Sequence, residues 1–174
     1  VDLSAYALEV TQGIQDLDNS VPLVAGKRTF VRFYVVSNGG YYSTNASLVV
    51  RKGAQEVTLK PNRVIADPVG PLPSLNRGLL TQGFLFELPG DFRSGAISLT
   101  ATVNPGPTRD PIETGYANNS ISQTNLSFEY VEPLNLVVYS VGYEKDGTTY
   151  YPESFEPLQM VNWLQSAYPV ARVR

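Results

Sequence analysis

The stretch Val21-Pro-Leu-Val-Ala-Gly-Lys-Arg-Thr-Phe-Val-Arg-Phe-Tyr-Val-Val36 reads as a turn that feeds a β-strand. From Phe30 onward its side chains repeat with period two. Val31, Phe33 and Val35 share one face, and Phe30, Arg32 and Tyr34 share the other. The same rhythm recurs on both sides. Upstream, Tyr6, Leu8 and Val10 alternate with Ala7, Glu9 and Thr11. Downstream, inward sets are predicted at Ala46/Leu48/Val50, Val57/Leu59, Phe84/Phe86/Leu88, Ile97/Leu99/Ala101/Val103 and Leu126/Phe128/Tyr130. Turn signals separate them at Asn38-Gly-Gly40, Lys52-Gly53 and Asn104-Pro-Gly-Pro107. About seven short alternating strands with these spacings predict a mainly β chain, an antiparallel immunoglobulin-like β-sandwich over residues 1–130. The Pro-rich stretch Pro61 to Gly78 is too long for a tight hairpin. It reads as a crossover between sheets or as a binding element.

The pattern changes after Glu132-Pro133. Leu134 to Tyr143 is almost continuously apolar and predicts a strand buried on both faces. Lys145-Asp-Gly147 turns the chain. Ser154 is the expected N-cap, Pro157 falls in the first turn, and Leu158, Val161, Leu164 and Tyr168 follow helical spacing up to Pro169. Val170 to Val173 then opens another strand. Strand, helix, strand predicts that residues 131–174 are the first βαβ elements of a truncated α/β domain, a short βαβ segment after the sandwich. The other reading is an appendix folded back on the sandwich.

Composition removes several function classes. The chain has 174 residues, a net charge of −3, no cysteine and no histidine. Disulfides, thiol nucleophiles, imidazole bases and Cys- or His-ligated zinc are therefore excluded within it. An acidic balance with scattered basic residues argues against nucleic acid, whose phosphates need a basic patch. No apolar run approaches the ~20 residues of a membrane helix. The start at Val1-Asp2 suggests a processed piece, and abundant Tyr, Asn, Ser and Thr with only four lysines suits an extracellular or cell-surface location.

Chemistry-bearing residues concentrate in one loop. Asn104 to Asn119 gathers Asp110, Glu113, Asn118 and Asn119, oxygen donors at short spacing that could hold Ca²⁺. The competing reading gives Glu113 and the Asn pair backbone amides to bind, fixing a long hairpin. Asp16, Asp18 and Asn19 form a second acidic loop with the same two readings. Tyr41, Tyr42 and Tyr116 are the aromatic candidates for contact with a sugar or a protein. Glu153 and Glu156 sit at the helix start, where the helix dipole accounts for them. No nucleophile elbow, P-loop or dinucleotide fingerprint occurs.

Leu8-Glu-Val-Thr-Gln-Gly-Ile-Gln15, Val21 to Lys27 and Thr29 to Val35 resemble the first strands of bacterial CARDB-like, immunoglobulin-like modules. The Leu88-Pro89 to Gly95 turn, the Ala101 to Pro105 strand end, and Glu113 with Asn118-Asn119 are similar to that family's penultimate strand and final hairpin. The likeness covers about residues 5–130. It departs in the extra prolines of the hairpin and in Gly115-Tyr116. It implies a non-catalytic extracellular accessory module of a larger multidomain protein: a spacer, adhesion or protein-interaction element. Its partners would be neighbouring domains of the same parent chain, or a surface protein or glycan. Leu136 to Tyr143, Tyr151-Pro152 and Trp163-Leu164 also look like the start of a metallopeptidase-type domain, whose zinc histidines would have to lie past Arg174. The alternative is a carbohydrate- or calcium-binding β-sandwich module. In the first reading the chain needs no cofactor.

Overall fold

The computed structural model describes residues 1–62, 69–72, 76–153 and 155–174. The chain is mainly β, 39% strand against 12% helix, and among the described residues its one α-helix is C-terminal. Eight strands among the described residues precede residue 130: β1 (Leu3–Thr11), β2 (Leu23–Val24), β3 (Phe30–Ser37), β4 (Ala46–Lys52), β5 (Gln55–Leu59), β6 (Phe84–Glu87), β7 (Gly95–Val103) and β8 (Ser120–Glu129). They form two sheets. One has the order β1-β3-β6 and the other β2-β8-β7-β4-β5. Every pairing is antiparallel except that of β2 with β8.

The alternation read from the sequence is what joins the sheets. Val31, Phe33 and Val35 of β3 and Phe84 and Phe86 of β6 meet Leu48 and Val50 of β4 and Ile97, Leu99, Ala101 and Val103 of β7 in one buried cluster. Phe33 and Phe84 lie 6.2 Å apart, ring centre to ring centre, in a tilted pair. Burying such a side chain contributes about 1.5–3 kcal/mol each, which makes this shared face the main source of stability.

Two expected positions are corrected. Tyr6 is not on the face of Leu8 and Val10: the β1–β3 register shifts between Ala5 and Ala7, and Tyr6 is exposed. A bulge adds one residue, and with period two that moves the preceding side chains to the other parity. So Leu3 is buried and Tyr6 is not. Tyr130 is also exposed, because β8 ends at Glu129.

The predicted strand Leu134 to Tyr143 shrinks to a parallel bridge of Leu134 with Val173, supported by hydrogen bonds from Leu134 N to Arg172 O (3.1 Å), Arg174 N to Leu134 O (2.9 Å) and Leu136 N to Arg174 O (2.7 Å). Val137, Tyr139 and Val141 stand exposed, since a strand meant for burial on both faces has no partner over them among the described residues. A hairpin of β9 (Tyr143–Lys145) and β10 (Thr148–Tyr150) follows, turning at Asp146 and Gly147, both at positive φ. That geometry suits an Asp-Gly turn because glycine meets no Cβ clash there. The helix α1 (Glu156–Ala167) carries Pro157 in its first turn and ends before Pro169, as the sequence predicts. The Ser154 N-cap lies outside the described residues. So does much of the Pro61 to Gly78 crossover. Its described flanks pair with Tyr42 through Val69 and with β6 through the bond from Asn62 N to Leu85 O.

The shared core sets an expected cost. Leu99 is almost fully buried at the centre of β7. Leu99→Ala is expected to lower unfolding stability by about 2–5 kcal/mol, read as a lower urea midpoint with an unchanged slope.

Candidate functional site

The outer face of β3 carries Phe30, Arg32 and Tyr34 in alternation, and extended chain before it adds Arg28. Glu9 of β1 pairs directly with Arg32 of β3. Cross-strand neighbours on one face lie within contact distance, so an acid opposite an arginine is a predictable ion pair. The structure extends it into a cluster. Tyr34 OH donates to Glu9 Oε2 at 2.7 Å, and the same oxygen lies 3.3 Å from Arg77 Nη2 and 3.8 Å from Arg32 Nη1. Arg32 Nη2 donates to the carbonyls of Arg77 (2.8 Å) and Leu79 (3.0 Å), holding that loop over the sheet. Both Glu9 and Tyr34 are buried. Burial, with the hydrogen bond to Glu9, pushes the Tyr34 phenol up to about 12.

Beside this cluster Arg28 meets Glu87 through two hydrogen bonds of 2.8 Å, and Arg93 Nη2 meets the same carboxylate at 2.9 Å. The hydrogen bonds from Arg28, followed by the charges of both arginines, hold Glu87 below the usual carboxylate range against the opposing effect of desolvation. Arg28 also lies over the Phe30 ring at 4.8 Å, and Arg32 over Tyr34 at 5.1 Å.

The C-terminal helix closes the other wall. Lys27 is buried, and its Nζ donates to the carbonyls of Gln165 (3.1 Å), Ser166 (3.2 Å) and Tyr168. The last carbonyls of a helix have no partner within it, and they carry the negative end of its dipole. An ammonium group with three donors satisfies them. Desolvation pushes the Lys27 pKa down. Gly26 allows the turn that brings Lys27 there: its φ is +79°, a conformation glycine adopts without strain. Between helix end and sheet lies a cleft of about 910 Å³, bordered by Glu9, Gln12, Arg28, Arg32, Arg93 and Gln165 among others. By sequence alone, Lys27 and Arg28 read as ordinary strand-end charges. The available signal was Glu9 opposite Arg32. The sequence held no signal for Lys27, because its partners are carbonyls of a helix 138 or more residues away.

The loop 104–119 is a structural staple. Glu113 is buried and accepts three N–H groups: Leu3 N on Oε2 (2.6 Å), and Asn104 Nδ2 (2.6 Å) and Asn119 Nδ2 (2.8 Å) on Oε1. Asn118 Nδ2 donates to Asp2 Oδ2 and Ser4 Oγ. Asp110 is fixed by its backbone N–H to Asn104 Oδ1. Thus Glu113 and Asn119 come together, Asn118 turns to β1, and Asp110 joins through its main chain. Among the described residues no group of three or more acidic side chains could hold a metal ion. In the other acidic loop, Asn19 bonds the edge of β1, accepting from Val10 N (2.6 Å) and donating to Leu8 O (2.8 Å). Asp16 bonds Ser20 through its backbone N–H and its hydroxyl.

The three tyrosines do not share one role. Tyr41 is exposed, and Tyr42 packs on the core and pairs with Val69. Tyr116 lies under Arg109 at 3.6 Å, and its hydroxyl accepts from Glu113 N. No family model, curated protein or solved structure matches the chain.

Three outcomes are expected. Glu113→Ala orphans three buried donors and should cost at least about 2 kcal/mol in urea unfolding. Millimolar calcium should leave the wild-type midpoint unmoved, and a rise would favour the metal reading. Tyr34 should ionise near pH 12 in an absorbance titration at high pH. Its folded pKa lies above the unfolded value, so its contribution is complete below about pH 10. That contribution declines as pH rises toward 12.

Proposed function

We propose that this chain is a non-catalytic accessory module of a larger extracellular protein. It would hold a neighbouring α/β segment in place and present a surface for interaction. The observation that carries the reading is the Lys27 clamp: one buried side chain of the β body binds three carbonyls at the end of α1. Residues 131–174 would then be the opening βαβ elements of an α/β domain. The parallel bridge between Leu134 and Val173, with α1 lying between them in sequence, supports this. The strand order also supports an immunoglobulin-like sandwich over residues 1–130. The first, third and sixth strands make one sheet, and the fourth, fifth, seventh and eighth make the other with β2 at its edge. The buried acids favour a structural use over turnover: Glu113 bonds three N–H groups, and Glu9 lies among Tyr34, Arg32 and Arg77.

Hydrogen exchange tests the positioning role. In the wild type the amides at the end of α1 should exchange slowly. In Lys27→Met they should exchange at least about tenfold faster, while the amides of β3, β4 and β7 stay protected. Equal exchange in both proteins would remove the positioning reading. Turnover of any peptide, ester or glycoside by purified residues 1–174 would remove the non-catalytic one.

A further inference from the structure

We infer that the cleft between the outer face of the β1-β3-β6 sheet and the end of α1 binds an extended acidic peptide segment. This names the partner of the module proposed above and rests on that reading. Four cationic side chains, Lys27, Arg28, Arg32 and Arg93, border the cleft with a single carboxylate, Glu9, on a chain whose net charge is −3. Positive charge is thus concentrated in one concave place on an otherwise acidic molecule, where low-dielectric walls focus the field. Glu87 sits between Arg28 and Arg93 and offsets one of the two.

Arg32 is already engaged: its Nη2 donates to the carbonyls of Arg77 and Leu79, its Nη1 lies 3.8 Å from Glu9, and its side chain is 13% exposed. Arg28 is therefore the direct contact, while Lys27, Arg32 and Arg93 contribute their charge to the field along the cleft. In an extended peptide, side chains on one face recur every second residue, about 6.6 Å, so one acid meets Arg28 while the next acids lie within that field. Guanidinium is suited to carboxylate through its fork of N–H donors. Arg28 keeps that capacity, because its bonds to Glu87 use Nε and Nη2 and its side chain is 67% exposed. The volume, about 910 Å³, suits a short peptide better than an ion.

An acidic polysaccharide fits less well. A sugar ring needs an open aromatic face, but here Arg28 lies over Phe30, and Tyr34 is buried beneath Arg32. A second groove of about 550 Å³ adjoins the cleft, sharing Gln12, Gly13, Lys27 and Ser166 with it, and contains Trp163. Trp163 is the only tryptophan in the chain, is 63% exposed, and so reports on this region.

The test titrates residues 1–174 with a ten-residue fluorescent peptide carrying Glu at every second position. Comparison ligands are its Lys-substituted twin, inorganic phosphate and polygalacturonate. Anisotropy and Trp163 emission are followed at 50 and 300 mM NaCl. The Glu peptide is expected to bind, about tenfold more weakly at the higher salt, and the Lys twin is not. Arg28→Ala, on an exposed side chain, is expected to weaken binding about tenfold with an unchanged urea midpoint. The inference is overturned if the Glu peptide does not bind, or if the twin, phosphate or polygalacturonate binds as tightly. It is equally overturned if Arg28→Ala or added salt leaves the affinity unaltered. Mass spectrometry of the recovered peptide separates the two readings. Cleavage would overturn the non-catalytic function and leave the binding site standing, whereas an intact but unbound peptide would overturn this inference alone.

Discussion

One carboxylate holds the two sheets in register at the end where the chain begins. Glu113 follows β7 of the larger sheet, yet its Oε2 accepts the backbone N–H of Leu3, the first residue of β1 in the smaller sheet. Its Oε1 meanwhile gathers Asn104 and Asn119, the residues where the long loop leaves and re-enters the larger sheet. A buried charge is tolerable only when its lone pairs are occupied, and here three N–H groups occupy them. The loop's shape, the placement of β1 and the closure of the core beneath Leu3 all follow from that arrangement. The unpaired edge of β1 is finished in the same way. The carbonyl of Asn118 accepts from Ala5 N, and the side chain of Asn19 serves Leu8 and Val10. A loop carbonyl and an amide side chain thus stand where another strand would otherwise dock.

The sheets were legible in the sequence wherever burial is one-sided. β4 and β7 each hide one parity of side chains and leave the other more open, and β3 does so except at Tyr34, which the Glu9 cluster buries; that asymmetry is written directly into residue type. Legibility failed for three physical reasons. A bulge near Ala5 changes parity without changing composition, so Tyr6 was placed on the wrong face. A strand's end depends on where its partner stops, so Tyr130 was carried inward past the end of β8. An apolar run such as Leu134 to Tyr143 becomes a strand only if neighbours complete its ladder.

The site shows the same division. The sequence brought Glu113, Asn118 and Asn119 together, and it offered both uses of their oxygens: cation ligands, or acceptors and donors for the main chain. The structure spends Glu113 on N–H groups, and no residue count could have decided that. The cleft was out of reach for another reason. Arg28, Arg93 and Gln165 lie on separate elements and converge only after the two sheets and the helix have packed. The local part of it, Glu9 across from Arg32, was open to anyone pairing β1 with β3 by parity. The register it needs, Ala7 to Thr11 against Tyr34 to Phe30, is regular and lies on the loop side of the bulge.

The Lys27 clamp also determines how the molecule carries force. The chain leaves the sheets at the end of β8, yet α1 is fastened to the turn between β2 and β3, far away in sequence. Tension applied at Arg174 meets the three main-chain bonds that join Arg172 and Arg174 to Leu134 and Leu136, together with the Lys27 ammonium and its three acceptors, before it reaches the ladder between β7 and β8. A ladder loaded along its strands shares the load among many hydrogen bonds, whereas the clamp concentrates its share on one side chain.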